Sequence, residues 1–450
     1  MFNWMQSATA KVFGIGALAL IMMIPLVLVR NIVNERGASR DQAAAQIARG
    51  WGGRQIVGGL VLAVPTQRQV ANTDNKIVVH ESTEIGLADN LQTAVTMTIE
   101  KRRYGMYEVP VFVANMSLKG QFLPEDLAQY RKDSGAQWLD EKAELRLLLS
   151  DTQGLQNVDE LTINGKPHRF VSSAARIAGF SVIAVPIDLQ AYADQPITFE
   201  IRLKLAGTDS LQILPLARQS QVQMSAAWPD PSFTGAFLPQ TRTVDPHGFT
   251  ANWHVLDLNR NYGQHWEAAD TTDGRLPDAN DVESRLPDSA FGVGLYQPVD
   301  VYQMNVRAEK YGVLFISMTF LAFFLFEVLN RLRVHPVQYI LIGVALVTFY
   351  VVLLAFSEQI GFGLAYLSGA VAVAAIIGGY AAAVLRSPRR GLLLGAVVAL
   401  VYAVLYGLIS AEQYALLLGA IVLLVVVALL MYLTRHIDWY AYGSPSAKDP

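Results

Sequence analysis

The chain of 450 residues contains no cysteine. Disulfides, thiol catalysis, iron–sulfur clusters and cysteine-type zinc sites are therefore excluded. Charge is also scarce: Asp, Glu, Lys and Arg make up 16% of residues, against about a quarter in ordinary soluble proteins. Formal net charge is −3, so there is no basic field for nucleic acid. No P-loop, no G-x-G-x-x-G after a strand and no G-x-S-x-G nucleophile elbow occurs, which leaves nucleotide chemistry and serine hydrolysis without a motif.

What is abundant is apolar sequence: 52% of residues are hydrophobic and mean hydropathy is +0.30. The distribution is uneven. Tyr311–Thr434 holds 8 charged residues in 124, five Arg and three Glu, whereas residues 31–310 hold 26 basic and 33 acidic residues, a net of −7. One part has the composition of a soluble domain and the other that of a membrane domain, which excludes a cytosolic enzyme, a free secreted domain and a disordered chain.

Val12–Val29 carries no charge and reaches spanning length when extended through Ile32 and Val33. Only Lys11 precedes it and no A-x-A-like site follows Val29, so it reads as an uncleaved anchor rather than a signal peptide. Pro25 predicts a kink within it. Five further spans are predicted at about 311–330, 337–356, 362–385, 391–409 and 413–434. Their loops alternate in sign: Arg331 and Arg333, then Glu358, then Arg386, Arg389 and Arg390, then Glu412, with Arg435 opening the tail. The positive-inside rule puts the basic loops in the cytoplasm. By parity the segment between spans one and two lies outside, although Arg30, Arg36 and Arg40 after span one argue the other way.

The expected organisation is a cytoplasmic N-terminus (1–11), a first span (12–33), a periplasmic β-rich domain (34–308), a five-helix bundle (309–434) and a cytoplasmic tail (435–450). The fold class is thus α+β: a six-helix membrane part with a large antiparallel, sandwich-like domain inserted after span one. Period-two alternation supports the strands. Leu91, Thr93, Val95, Met97 and Ile99 share one face; so do Ile197, Phe199, Ile201, Leu203 and Leu205, and again Phe249, Ala251, Trp253 and Val255. Asn164-Gly165 predicts a type I′ hairpin turn. Residues 34–49 extend span one as helix, Pro124–Leu139 reads as helix across one edge, and 268–288 as a loop.

The densest motif is Trp228-Pro-Asp-Pro-Ser-Phe-Thr-Gly-Ala-Phe-Leu-Pro239, followed by Arg242 and Trp253. Its prolines make it rigid. Trp228, Asp230, Ser232, Phe233, Arg242 and Trp253 are candidate partner- or ligand-binding residues; the alternative is a connection covering a sheet edge. Ser232, Asp245 and His247 have no triad-like spacing, and His247, His254 and His265 no metal-ligand spacing. Glu327 in span two is either an ion or proton relay, or an i, i+4 pair with Arg331 at the interface. Gly391, Gly395, Ala399, Ala403 and Gly407 repeat a small residue at every fourth position, a helix-packing face or an oligomer contact.

These features resemble the CreD family of bacterial inner-membrane proteins. The resemblance is carried by Trp51-Gly52 with Gln55 and Pro65, Arg103-Tyr-Gly-Met-Tyr-Glu-Val-Pro110, Trp228-Pro-Asp-Pro-Ser-Phe233 with Gly235, and Gly248-Phe249 with Trp253. It continues through Pro298-Val-Asp-Val-Tyr302, Arg307-Ala-Glu-Lys-Tyr311, Phe326-Glu327, His335-Pro-Val-Gln-Tyr339, Phe349-Tyr350 and Ser357-Glu358. Gly59-Leu60 stands where the family often has Gly-Pro. The resemblance implies a role in cell-envelope integrity, associated in that family with the CreBC two-component regulon, colicin tolerance and β-lactam response. It implies no reaction, cofactor or catalytic residue. The expected function is therefore a non-enzymatic scaffold or regulator. Its expected partners are membrane lipids and an envelope protein or a second copy. Lipid or amphiphile handling is the alternative, and an envelope hydrolase a third.

Overall fold

A computed structural model describes residues 8–71, 77–268, 282–295, 301–329, 334–411 and 414–435. Among these the helices are α1 (Ala8–Ile21), α2 (Met23–Trp51), α3 (Pro124–Ser134), α4 (Val282–Arg285), α5 (Val301–Lys310), α6 (Gly312–Leu329), α7 (Pro336–Ile360), α8 (Phe362–Val384), α9 (Pro388–Ser410) and α10 (Ala415–Thr434). The chain divides into two compact units, one of Met1–Ser39 with Val299–Pro450 and one of Arg40–Pro298.

Lys11–Trp51, whose part up to Ser39 belongs to the first unit, and Gly312–Leu329, Pro336–Ile360, Phe362–Val384, Pro388–Ser410 and Ala415–Thr434 of that unit are long and apolar enough to cross a membrane. α1 and α2 form one rod interrupted at Met22. The break lies one turn before Pro25, whose ring has no N–H for the carbonyl of Ile21. The rod packs through Met22, Leu26, Val29 and Val33 onto Phe315, Phe320 and Leu346 of α6 and α7. Two glycines make room for it: a Cβ on Gly343 would lie 2.8 Å from Met22 Sδ, and one on Gly312 2.6 Å from Leu26 Cδ2. α8 and α9 approach closely as well, since a Cβ on Gly391 would lie 2.3 Å from Ala382 Cβ. No side chain of α10 is buried.

The second unit holds two sheets packed face to face. Among the described residues the first is ten-stranded, with Pro231–Gly235, Phe291–Leu295, Ser210–Ile213, Gln55–Ala71, Ala143–Leu149, Phe180–Ile187 and Val171–Ile177 in order; Ile77–Gly86, His265–Glu267 and Gln137–Trp138 lie off that path. The second is eight-stranded, in the order Thr241–Asp245, Gly248–Leu256, Ala217–Ala226, Ala88–Tyr104, Tyr107–Phe122, Ile197–Thr208, Leu155–Ile163 and Lys166–Pro167. Between them lies a core that includes Leu60 and Leu62 from one sheet and Leu91, Val95 and Phe112 from the other.

The two sheets differ in their outer faces. Tyr262, Trp266, Leu286 and Ala290 cover the outer face of the first. Its central strands are buried on both sides there, so Val57–Val64 and Leu147–Leu149 read as unbroken apolar runs. The second sheet meets solvent on its outer face, and Leu91, Thr93, Val95 and Met97 alternate with exposed Gln92, Ala94, Thr96 and Thr98.

Most pairs are antiparallel, as expected, but two are parallel: Gln55–Val57 with Leu211–Ile213, and Ala88–Met97 with Ala217–Ala226. Each joins strands more than a hundred residues apart, which supplies the long crossover that parallel pairing needs. The Asn164-Gly165 turn has φ of 49° and 74° and joins Ile163 to Lys166. α3 stops at Ser134, earlier than expected, because Gly135 takes the left-handed conformation that caps a helix. Residues 34–49 are helical within α2. Most of the expected 268–288 loop lies outside the described residues; of its remainder, Val282–Arg285 forms α4.

Candidate functional site

The Trp228–Pro239 motif forms a corner of the sandwich. Pro231–Gly235 is the terminal strand of the first sheet and Thr241–Asp245 that of the second. Its aromatic rings turn inward. Phe233 packs 5.9 Å from Phe249 and 6.0 Å from Trp253, and Phe237 5.7 Å from Phe291. Trp253 is buried and donates its indole N–H to the Phe237 carbonyl at 3.1 Å. Trp228 is half-buried and donates to the Asp230 carbonyl at 3.0 Å. Ser232 sits opposite Gly294 in the ladder, and the Arg242 guanidinium lies 5.5 Å above the Phe233 ring. The motif thus ties the two sheets together, and Asp230, Leu238 and Arg242 are exposed on its outer side. Asp245 accepts from the backbone N–H groups of His247 and Gly248, which caps the adjoining turn. Among the described residues no group of His, Asp and Glu is arranged to hold a metal.

Glu327 defines a second site, in the helical unit. The side chain is 1% exposed, and an ionisable group buried among spans is costly unless paired. Among the described residues three donors meet it. Lys11 Nζ donates to Oε1 at 2.5 Å, the Val334 backbone N–H to Oε1 at 3.0 Å and the Tyr339 hydroxyl to Oε2 at 3.0 Å. The local sequence builds this arrangement. His335 caps α7 by accepting the Val337 N–H, Pro336 starts the helix, and Gln338 accepts the His335 N–H. That cap fixes the first turn of α7, from which Tyr339 reaches Glu327. Arg331, the partner expected from i, i+4 spacing, lies outside the described residues; among those described, Lys11, from the start of the first span, supplies a counter-charge. The N-terminal end of α1, the C-terminal end of α6 and the N-terminal end of α7 therefore lie at one end of the bundle.

A third cluster stands at the other end. Asn305 is buried on α5 and donates to Ser357 Oγ at 3.0 Å and to the Val301 carbonyl at 2.8 Å. The Tyr302 hydroxyl donates to Glu358 at 3.0 Å. Glu309, one turn after Asn305, is buried, and its Oε2 faces Arg30 Nε at 4.0 Å. Nothing local in the sequence joins Lys11 to Glu327 or Arg30 to Glu309; the only signal was the rarity of charge near the spans.

The small-residue face of α9 divides. Gly391 and Gly395 pack against α8, where a Cβ on Gly395 would lie 3.3 Å from Gly378 Cα, whereas Ala399, Ala403 and Gly407 are exposed.

A bundle of apolar helices with a buried glutamate facing a basic side chain at each end, joined to a two-sheet β domain, defines a multi-pass α+β membrane protein. The chain belongs to the CreD family: residues 7–440 match the family described as Inner membrane protein CreD. It is 31% identical over 442 residues to the Inner membrane protein CreD of Escherichia coli (strain K12), an alignment covering 97% of this chain and 95% of that protein. It is accordingly a multi-pass inner-membrane protein.

Proposed function

We propose that the protein serves cell-envelope integrity as a non-catalytic scaffold or regulator, with the sandwich in the periplasm, both termini in the cytoplasm and an envelope protein as partner. The observation that carries the orientation is the contact between Lys11 and Glu327. It supports a first span whose N-terminal end shares a membrane face with the basic 331–335 loop, and so favours the side chosen by the later basic loops over the flanking Arg30, Arg36 and Arg40. The scaffold reading is supported by polar side chains that are spent on ties: Lys11 to Glu327, Asn305 to Ser357, Tyr302 to Glu358.

The chain has no cysteine, so a single introduced thiol reports its own location. In intact cells stripped of the outer membrane, an impermeant maleimide is expected to label Asp230→Cys and to spare Ser387→Cys. The reverse pattern overturns the orientation. Crosslinking in cells, followed by mass spectrometry, is expected to recover a stoichiometric envelope protein, and recovery is expected to fall with Asp230→Lys and Arg242→Glu. A second reading, lipid or amphiphile handling, is favoured by one observation. An apolar groove of about 560 Å³ runs along α1 and α6, lined by residues including Val12, Phe13, Gly16, Leu20, Val313 and Ser317. A tightly held lipid with no protein partner in the same experiment selects that reading.

A further inference from the structure

The two ion pairs that hold the first span differ in kind. At one end both oxygens of Glu327 accept hydrogen bonds, from three donors among the described residues. At the other, Glu309 Oε2 accepts no hydrogen bond and has almost no contact with solvent. Its counter-charge, Arg30, is half exposed and stands 4.0 Å away, beyond hydrogen-bond reach. The Tyr350 hydroxyl, within electrostatic reach of the carboxylate, is buried without a partner, and a Cβ on Gly312 would lie 3.3 Å from it. Tyr402 of α9 carries a second buried hydroxyl without a partner, while the Tyr366 hydroxyl of α8 donates to the Tyr402 carbonyl at 2.7 Å.

The chemistry of this set is specific. A buried carboxylate lacking a donor on one oxygen is destabilised in its charged form. As a carboxylic acid it gains an O–H donor, which a phenol oxygen such as that of unpartnered Tyr350 can accept. The groups acting on it are Arg30 from α2, Lys310 beside it on α5 and Tyr350 from α7, with Tyr366 and Tyr402 in the aromatic cluster beyond; Glu358 of α7 is engaged by Tyr302. Burial pushes the Glu309 carboxyl up, opposed by Arg30 and then Lys310. α5 precedes the span that begins at Gly312, so a proton reaches Glu309 from the end of the bundle.

We propose that Glu309 is a proton-binding site, and that proton uptake there frees Arg30 and loosens the second half of the first span from the bundle. One proton adds to Glu309 Oε2 and no other bond changes. Loss of the negative charge removes the attraction on Arg30, which turns to water, while Lys11 and Glu327 hold the first half of the span in place.

The test uses the full-length protein in nanodiscs. The infrared C=O stretch of a protonated carboxyl is followed as pH is lowered from about 8 to about 4, below the ordinary glutamate value. In parallel, spin labels on Ile32→Cys and Val351→Cys, two exposed sites on α2 and α7, report the distance between the helices. Wild type is expected to show a carboxyl band that rises through a one-proton transition, with the label distance broadening over the same pH interval. Glu309→Gln is expected to lose the band and to show the broadened distance at every pH. Glu327→Gln should keep both transitions, and Glu309→Asp should keep them at a shifted midpoint, which separates titration from misfolding. A band that persists in Glu309→Gln overturns the proposal, as does a distance that never changes with pH in wild type.

Discussion

Lys11 and Glu327 are 316 residues apart in the chain and 2.5 Å apart in the bundle. The pair is shielded from water on the carboxylate side, so breaking it differs from removing it. Lys11→Met alone leaves a buried charge with only neutral donors and is expected to destabilise the helical unit by about 3–5 kcal/mol. Combining it with Glu327→Met is expected to restore most of that loss. A double-mutant cycle of thermal unfolding in detergent gives the coupling; additive single effects would show that the pair contributes nothing.

Tyr339→Phe removes one donor from Glu327 and preserves ring volume. The expected loss is about 1–3 kcal/mol, the penalty of an under-bonded buried acceptor. His335→Ala removes the α7 cap and is expected to weaken the same contact by about 1 kcal/mol. Unfolding midpoints of both variants at neutral pH check these values, and a larger loss for the cap than for the phenol would reverse their assigned roles.

The glycines of α9 predict opposite outcomes on one helix. Gly391→Val drives its side chain into Ala382 and is expected to cost about 1–3 kcal/mol. A Cβ on Gly407 would have nothing within 4 Å, so Gly407→Ala is expected to be neutral or slightly stabilising, through helix propensity. Equal effects at the two positions would mean that Gly407 also faces a partner helix.

Glu84 sits directly across from Glu267 in an antiparallel ladder and is buried. Burial raises its carboxyl above the ordinary value of 4.5, Glu267 adds to the rise and Arg68 opposes it. A raised folded-state value means that the charged form costs stability above that value. The cost is relieved as pH falls through it and vanishes below the ordinary value. Glu84→Gln is therefore expected to stabilise the sandwich at pH 7 by about 0.2–1 kcal/mol, the scale for like charges across a ladder, and by less at about pH 5. Tryptophan fluorescence of the full-length chain during heating measures the difference; a gain that grows toward acid pH would contradict the sign.

Trp253→Ala empties a buried indole site between the sheets and is expected to cost about 3–5 kcal/mol. Asp230→Ala touches an exposed side chain whose carbonyl, not its carboxylate, accepts the Trp228 N–H, and should leave stability within about 0.5 kcal/mol. Proteolysis rates of the two variants in membranes separate a structural tryptophan from a surface acid.

The second sheet was readable because it has one wet face: Leu91 to Met97 alternate, and so they fold. The first sheet was harder, since Val57–Val64 is covered on both sides and periodicity is silent where both faces are dry. The parallel pairing of Ala88–Met97 with Ala217–Ala226 left no local trace, because register between distant strands is a tertiary property. Glu327 was marked out by rarity alone, while its bond to Lys11 is beyond any window-based reading. The aromatic motif was found from its prolines and rings, yet composition does not say which way rings point; Phe233 and Phe237 point inward.

Met22 and Leu26 each stand where a glycine of a neighbouring helix leaves a notch, at Gly343 and Gly312. Four residues apart, they engage the bundle as two teeth of one rack. A shift of the first span by less than a full turn, about 5.4 Å, would drive both side chains against the walls of their notches at once. The seam therefore has stops. A span built this way changes position by steps, and whatever moves it must supply enough force to clear both teeth together.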